Sequence, residues 1–329
     1  MAALSPLLQL PTSDADLARV ETALLEAVQA PDAYLTELAS HLLLAGGKRL
    51  RPMMAVVGAL ADGREHASDD VVRGGVSCEL VHVGSLYHDD VMDEADTRRG
   101  VETVNAKWGN LQAIVAGDFL LSRASEIAAS LGTEVAGLLA RTIGVLCFGQ
   151  LGEVRTTYQV ERTEAQYLDS ISGKTASLFA TSARIGTIVA GHPRARIEAL
   201  TTYGHAFGML FQIVDDVLDI TATDAELGKP AGHDMEEGVY TLPVLRALAA
   251  GDTAAADLRA LLGRPLSAAE RQDALALVRG GAGISQAIDA AAEYVRTAEA
   301  ACDDLPSNPA ADALRAAPAA LLATVAERV

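Results

Sequence analysis

The chain carries only three cysteines, Cys78, Cys147 and Cys302, odd in number and widely separated. That excludes a disulfide framework and a cysteine-rich zinc site, and predicts a reducing compartment with the thiols as small buried hydrophobes. Basic charge is also scarce: 26 Lys and Arg face 44 Asp and Glu, a formal net charge of −18. A broad basic face for nucleic acid or an anionic membrane is therefore excluded, and any anionic substrate must be held by a local cluster of cations. Hydrophobic residues make up 50% of the chain, yet no run of about 18 uninterrupted apolar residues occurs, so no transmembrane segment is expected. The start, MAALSPLLQLPTSDADLARV, lacks the basic opening and cleavage site of a secretory signal. Residues 1–13 then read as a short arm, and the protein as cytoplasmic. Linker-like segments, short-period repeats and β-branched alternation are missing too, which points to a single all-α domain over residues 1–329.

Lysine is rarer still. Only Lys48, Lys107, Lys174 and Lys229 occur, and three of the four sit in Gly-Lys pairs, in GGKRLRP, SGKTASLF and LGKPAGHD. A chain that otherwise prefers Arg keeps Lys where a compact ammonium serves better than a planar fork.

What is abundant is carboxylate in a particular pattern. Asp89, Asp90 and Asp93 fall within five residues, and Asp215, Asp216 and Asp219 repeat the spacing about 126 residues later. At about 3.6 residues per turn, Asp89 and Asp93 share a helical face with Asp90 on its flank. Like charges one turn apart repel, and both clusters interrupt apolar runs, VHVGSLY and AFGMLFQIV, so a compensating cation is implied. Hard oxygen donors with little sulfur or imidazole nearby favour magnesium or manganese. Asp69-Asp70 and Asp303-Asp304 lack the third carboxylate and read as loop or helix-end charge. If the two clusters act together they must meet across one cavity, which favours one helical bundle over two domains.

In chain order, residues 14–44 form one or two amphipathic helices ending at Gly46-Gly47, and Pro52 suits the first turn of the next. Lys48, Arg49 and Arg51 between them read as an anion site at a helix start, or as an exposed basic turn. A helix from about Ser68 carries His82, Gly84, Ser85 and the first cluster, followed by Arg98-Arg99-Gly100. His82 shares the face of Asp89; alone it would be an ordinary core histidine. Helices follow over 110–131, 134–158, 164–191 and 195–222, with Gly173 predicting a break or kink that aims Lys174 into a cavity. The polar stretch TATDAELGKPAGHDMEEGVYTLP reads as a loop able to close over a site. Residues 243–329 read as alanine-rich packing helices with breaks near Gly251, Gly263 to Pro265, and Gly280 to Gly283.

Together, GGKRLRP at 46–52, HDDVMD at 88–93, RRG at 98–100, GKT at 173–175, QIVDDVLD at 212–219 and GKPAGHD at 228–234 resemble the trans-isoprenyl diphosphate synthases, or polyprenyl synthetases, over about residues 40–243. The resemblance implies an all-α bundle of isoprenoid synthase type, a homodimer, that condenses isopentenyl diphosphate with an allylic diphosphate. By motif position it implies Asp89, Asp93 and Asp215 as ligands of magnesium, about three ions per active site with manganese as a substitute. Asp90, Asp216 and Asp219 would support these ligands, Asp219 counting among the metal-binding set. Arg98, Lys174 and Lys229 would hold the allylic diphosphate, and Lys48, Arg51, His82 and Arg99 the isopentenyl diphosphate. Thr175 and Gln212 would line the reacting carbons. Where many relatives carry a second lysine before TLP this chain has Val239, which weakens one diphosphate contact. Residues four and five before the first cluster form the floor of the product tunnel in this family. Here they are Ser85 and Gly84, with Val81 and Cys78 beyond, an open apolar tunnel that implies a product of about 30 to 50 carbons unless Phe148 or Phe179 closes it. The expected use is in quinone side chains, with peripheral membrane contact for product release. The alternatives are a geranylgeranyl diphosphate synthase, a terpene cyclase, which would lack GGKRLRP, and a non-catalytic regulatory subunit, which would have eroded aspartates.

Overall fold

The computed structural model describes residues 5–227 and 230–328. Alanine, leucine and the start signals ahead of each apolar run dictate helix nearly everywhere. The first helices are α1 (Ser5–Leu8), α2 (Ser13–Ala27), α3 (Ala33–Leu44), α4 (Leu50–Leu60) and α5 (Asp69–Met92). A short antiparallel hairpin, β1 (Thr97–Arg98) and β2 (Val101–Glu102), leads to α6 (Val104–Trp108), α7 (Asn110–Ser130) and α8 (Thr133–Arg155). Next come α9 (Glu164–Ile171), a π-helical turn (Ser172–Ala176), α10 (Ser177–Val189) and α11 (Arg194–Thr221). The remainder is α12 (Asp224–Leu227), α13 (His233–Glu236), α14 (Leu242–Ala249), α15 (Thr253–Leu261), α16 (Ala268–Gly280), α17 (Gly283–Ala300) and α18 (Pro309–Ala326).

Caps set many of these boundaries. Ser68 accepts from Val71 N, and Thr163 with Gln166 and Ser267 with Glu270 form reciprocal capping boxes. One contiguous hydrophobic cluster runs from Leu7 to Val325. The expected N-terminal arm is therefore docked from its first described helix: Leu7 is buried and α1 contacts α4 and α18.

Helix α5 is the central post, contacting α4, α7 and α10, while α11 packs on α10 and is backed by α17 and α18. The stretch 164–189 is one continuous helical path through the π turn, so the irregularity expected at Gly173 as a break or kink takes the form of a π bulge. The polar segment 223–241 contains two short helices, α12 and α13, where a loop was expected. Helix α8 is the one described helix long and apolar enough to cross a membrane by length and composition, its best window averaging a hydropathy of 1.5 with 22% of it buried. Cys78 and Cys302 are buried as expected, but Cys147 is exposed because it lies on the cavity side of α8.

Candidate active site

A cavity of about 910 Å³ opens between α5, α8, α11, the π turn, the 47–49 loop with the start of α4, and the hairpin. Lys48, Arg51, His82, Arg98 and Arg99 line it, as do Asp89, Asp93, Lys174, Thr175, Gln212 and Asp215. Asp89 and Asp93 of the first cluster and Asp215 of the second thus line one space. The apolar wall is supplied by Val81, Leu121, Ile143, Leu146, Leu151 and Phe211. Of the two aromatics named as able to close the tunnel, Phe148 is 76% exposed and Phe179 is fully buried. Phe211, not singled out from the sequence, is the aromatic on the wall.

Each carboxylate has its own environment. The first cluster sits on the last turn of α5, with Asp93 as its C-cap. Asp90 is buried and ion-paired with Arg98 Nε, so it orients an arginine instead of facing the open space. Burial pushes the Asp89 carboxyl up against the opposing pull of Lys174 and Arg98, and it pushes Asp93 up to about 6. On α11, Asp215 is exposed to the cavity whereas Asp216 and Asp219 are buried. Asp216 accepts from Tyr167 Oη at 2.5 Å and Gln212 Nε2 at 2.9 Å. Burial, with Asp234 and Asp215 nearby, drives its carboxyl well above the ordinary range.

Of the expected metal set of Asp89, Asp93, Asp215 and Asp219, the first three line the cavity. Asp219 does not line the cavity, and among the described residues no three His, Cys, Asp or Glu side chains stand close enough to form a metal cage. Lys174 supplies positive charge beside both Asp89 and Asp93. Asp89, Asp93 and Asp215 present hard oxygens to one space, with burial weakening the acidity of Asp89 and Asp93, a donor set that fits a divalent cation.

The cations divide into those that build the site and those that face it. Arg49, at φ 49° on the edge of α4, donates to Glu21 Oε1 at 2.7 Å, Leu43 O at 2.8 Å and Glu79 Oε1 at 3.2 Å. Of the three cations expected at this helix start it is therefore spent inside the fold. Arg99 donates to Leu42 O at 2.9 Å and to Gly46 O, stapling the glycine loop to the hairpin. Arg51 lies over the Phe179 ring, 4.8 Å from its centroid, and burial lowers its pKa to about 10. Burial beside Arg51, Arg99 and Arg98 holds His82 well below its ordinary range, so it is a neutral imidazole at neutral pH. Lys48 is exposed at the cavity mouth. Lys229 lies outside the described residues, and Val239 is half-buried just after α13, its N–H donating to Asp234 O at 2.8 Å.

Two residues that spacing did not reveal hold the reactive face in place. Glu153 accepts from Lys174 Nζ at 2.6 Å, and the phenol of Tyr167 braces Asp216. Thr175 Oγ1 donates to Gln212 Oε1 at 2.8 Å. The floor also differs from expectation. Ser85 and Val81 line the cavity, but Gly84 faces α7, where a Cβ would come 3.1 Å from Gly117 O and 3.4 Å from Leu120 and Leu121. Gly84 permits a close helix crossing and does not form the tunnel floor.

The polyprenyl synthetase family model matches residues 32–278, three quarters of the chain. The chain belongs to the polyprenyl synthetase family. Its prenyltransferase relatives include the nonaprenyl diphosphate synthase of Mycobacterium tuberculosis, 40% identical over 303 residues, covering 92% of this chain and 90% of that one. Component 2 of the Geobacillus stearothermophilus heptaprenyl diphosphate synthase is 40% identical over 301 residues, covering 91% and 93%. Among solved polyprenyl synthetase structures, the polyprenyl synthase of Caulobacter crescentus, complexed with calcium and isoprenyl diphosphate, superposes with a TM-score of 0.90 at 34% identity, covering 97% of each chain.

Proposed function

We propose that this chain is a trans-polyprenyl diphosphate synthase that joins isopentenyl diphosphate to an allylic diphosphate, with Mg2+ as cofactor, and elongates to about 30 to 50 carbons. One observation carries the reading: Asp89 and Asp93 of the first cluster, Asp215 of the second and two groups of cations open on a single cavity whose remaining wall is largely apolar and, beside the first cluster, as small as Ser85 and Val81. The long-chain product agrees with the nonaprenyl synthase relative.

Asp89, Asp93 and Asp215 are the residues we assign to the metal, about three ions in all. These carboxylates would hold magnesium beside the allylic diphosphate, where it would supply positive charge to offset the charge that develops as that group departs. Lys174 and Arg98 grip the same group, with Lys229 assigned beside them. Lys48, Arg51, His82 and Arg99 hold the second diphosphate away from the carboxylates, so only one substrate ionises. Thr175 and Gln212 present oxygen dipoles to the allylic cation, and the apolar wall excludes the water that would quench it. After carbon–carbon bond formation, a proton leaves the product and is taken by the departing pyrophosphate.

We further assign a single domain over residues 1–329, a homodimer, a cytoplasmic location and a product destined for quinone side chains. Leu111 and Val115 on α7 and Val145 and Phe148 on α8 are exposed, an apolar face suited to a second copy, while product release would use peripheral membrane contact. A second reading comes from the relative named as component 2: a catalytic chain that needs another subunit. The test is turnover by the purified chain alone with magnesium, isopentenyl diphosphate and farnesyl diphosphate. Condensation that is lost in the Asp89→Ala/Asp93→Ala variant supports the assignment, and unchanged turnover in that variant overturns it. Turnover only on adding a partner subunit would favour the second reading.

A further inference from the structure

We infer that Tyr167, which belongs to none of the motifs, is a positioning residue for condensation: its phenol anchors Asp216 and, through Gln212, sets which way the Thr175 hydroxyl faces. This deepens the prenyl-transfer reading above and rests on it. Tyr167 lies on α9 and is 1% exposed, with the Arg162 guanidinium over its ring at 5.6 Å. Its hydroxyl donates to Asp216 Oδ2 at 2.5 Å, and Asp216 is 3% exposed. The other carboxylate oxygen accepts from Gln212 Nε2 at 2.9 Å, one helical turn back along α11.

That contact decides the rest of the chain of hydrogen bonds. Once the amide nitrogen of Gln212 is committed to Asp216, its oxygen faces Thr175, whose hydroxyl donates to it at 2.8 Å. A hydroxyl has one proton. With the proton given to Gln212, the lone pairs of Thr175 remain for the cavity, which Thr175 and Gln212 line and Tyr167 and Asp216 do not. Oxygen lone pairs stabilise a cationic carbon; a hydroxyl proton turned the same way would repel it. Without the phenol, Asp216 Oδ2 becomes a buried acceptor that must turn to find another donor. Gln212 is then free to flip its amide, and the Thr175 hydroxyl loses its fixed direction.

The test is a double-mutant cycle of Tyr167→Phe and Thr175→Val, in full-length enzyme with saturating magnesium, measuring kcat and both KM values. Tyr167→Phe is expected to lower kcat about tenfold with each KM within about twofold, and to cost little more once Thr175 is already Val. Unchanged kcat, a loss confined to KM, or additive losses would overturn the inference. If Tyr167→Phe does not fold, Gln212→Leu severs the same relay nearer the cavity. Its loss should be non-additive with Thr175→Val, and additivity overturns the relay. Failure of the prenyl-transfer reading is separate, because then the unmodified enzyme would not condense the substrates at all.

Discussion

Lys174 Nζ donates to Glu153 Oε1 at 2.6 Å, across the place where Gly149 on α8 and Gly173 in the π turn touch backbone to backbone. A Cβ on Gly173 would lie 2.9 Å from Gly149 Cα, and one on Gly149 would collide with Lys174 N. Close approach of the two elements is therefore what lets Glu153, one turn beyond Gly149, reach the ammonium beside Asp89 and Asp93. Glu153→Gln is expected to lower kcat/KM for the allylic substrate about tenfold with little change in unfolding midpoint, since both partners are partly exposed. Gly149→Ala should destabilise by about 1–3 kcal/mol in urea unfolding as well as lowering activity.

Arg49 supplies a different kind of test. Its guanidinium is 1% exposed and its partner Glu79 3%, so Arg49→Ala leaves a buried carboxylate without its cation. The expected cost is about 3–5 kcal/mol, read as a fall in denaturation midpoint. Lys48→Ala, at the exposed cavity mouth, should leave stability within about 0.5 kcal/mol and raise KM for isopentenyl diphosphate.

The motif residues were legible because their spacing encodes them: three carboxylates on a turn and a half of helix, repeated, and glycine-flanked lysines. Helix positions followed from periodicity and caps, and Ser68 and Pro52 sit where their chemistry put them. What stayed hidden depends on packing between distant segments. Tyr167 meets Asp216 across 49 residues and Arg49 meets Glu79 across 30, and no local pattern marks either pair. Gly84 and Ser85 are neighbours on one helix, so only the placement of α7 decides that Ser85 faces the cavity and Gly84 does not.

That distinction separates two substitutions a residue apart. Ser85→Phe should shorten the product while the protein stays folded. Gly84→Phe should instead destabilise by about 1–3 kcal/mol or more, because its side chain would enter the contact with Gly117 and Leu120. Product sizing alongside thermal unfolding distinguishes them.

Asp93 gives a pH dependence with a definite sign. Its folded-state value is raised from 3.8 to about 6, so its stabilising contribution is present below the ordinary value and lost as pH rises through 6. In metal-free protein, Asp93→Asn should therefore be more stable than the parent above pH 6, with the difference vanishing towards pH 4. Protons compete with the cation for the same oxygens, so the magnesium needed for half-maximal activity should increase below about pH 6. Thermal unfolding and magnesium titrations across that range check both signs.

The most direct test is to incubate the purified chain with magnesium, isopentenyl diphosphate and farnesyl or geranylgeranyl diphosphate, and to size the dephosphorylated products. Products beyond about 30 carbons are expected from the apolar wall that continues past Ser85 and Val81. A stop near 20 carbons would contradict the open floor while preserving the chemistry, and no condensation with either starter would contradict the assignment of this chain as a self-sufficient synthase.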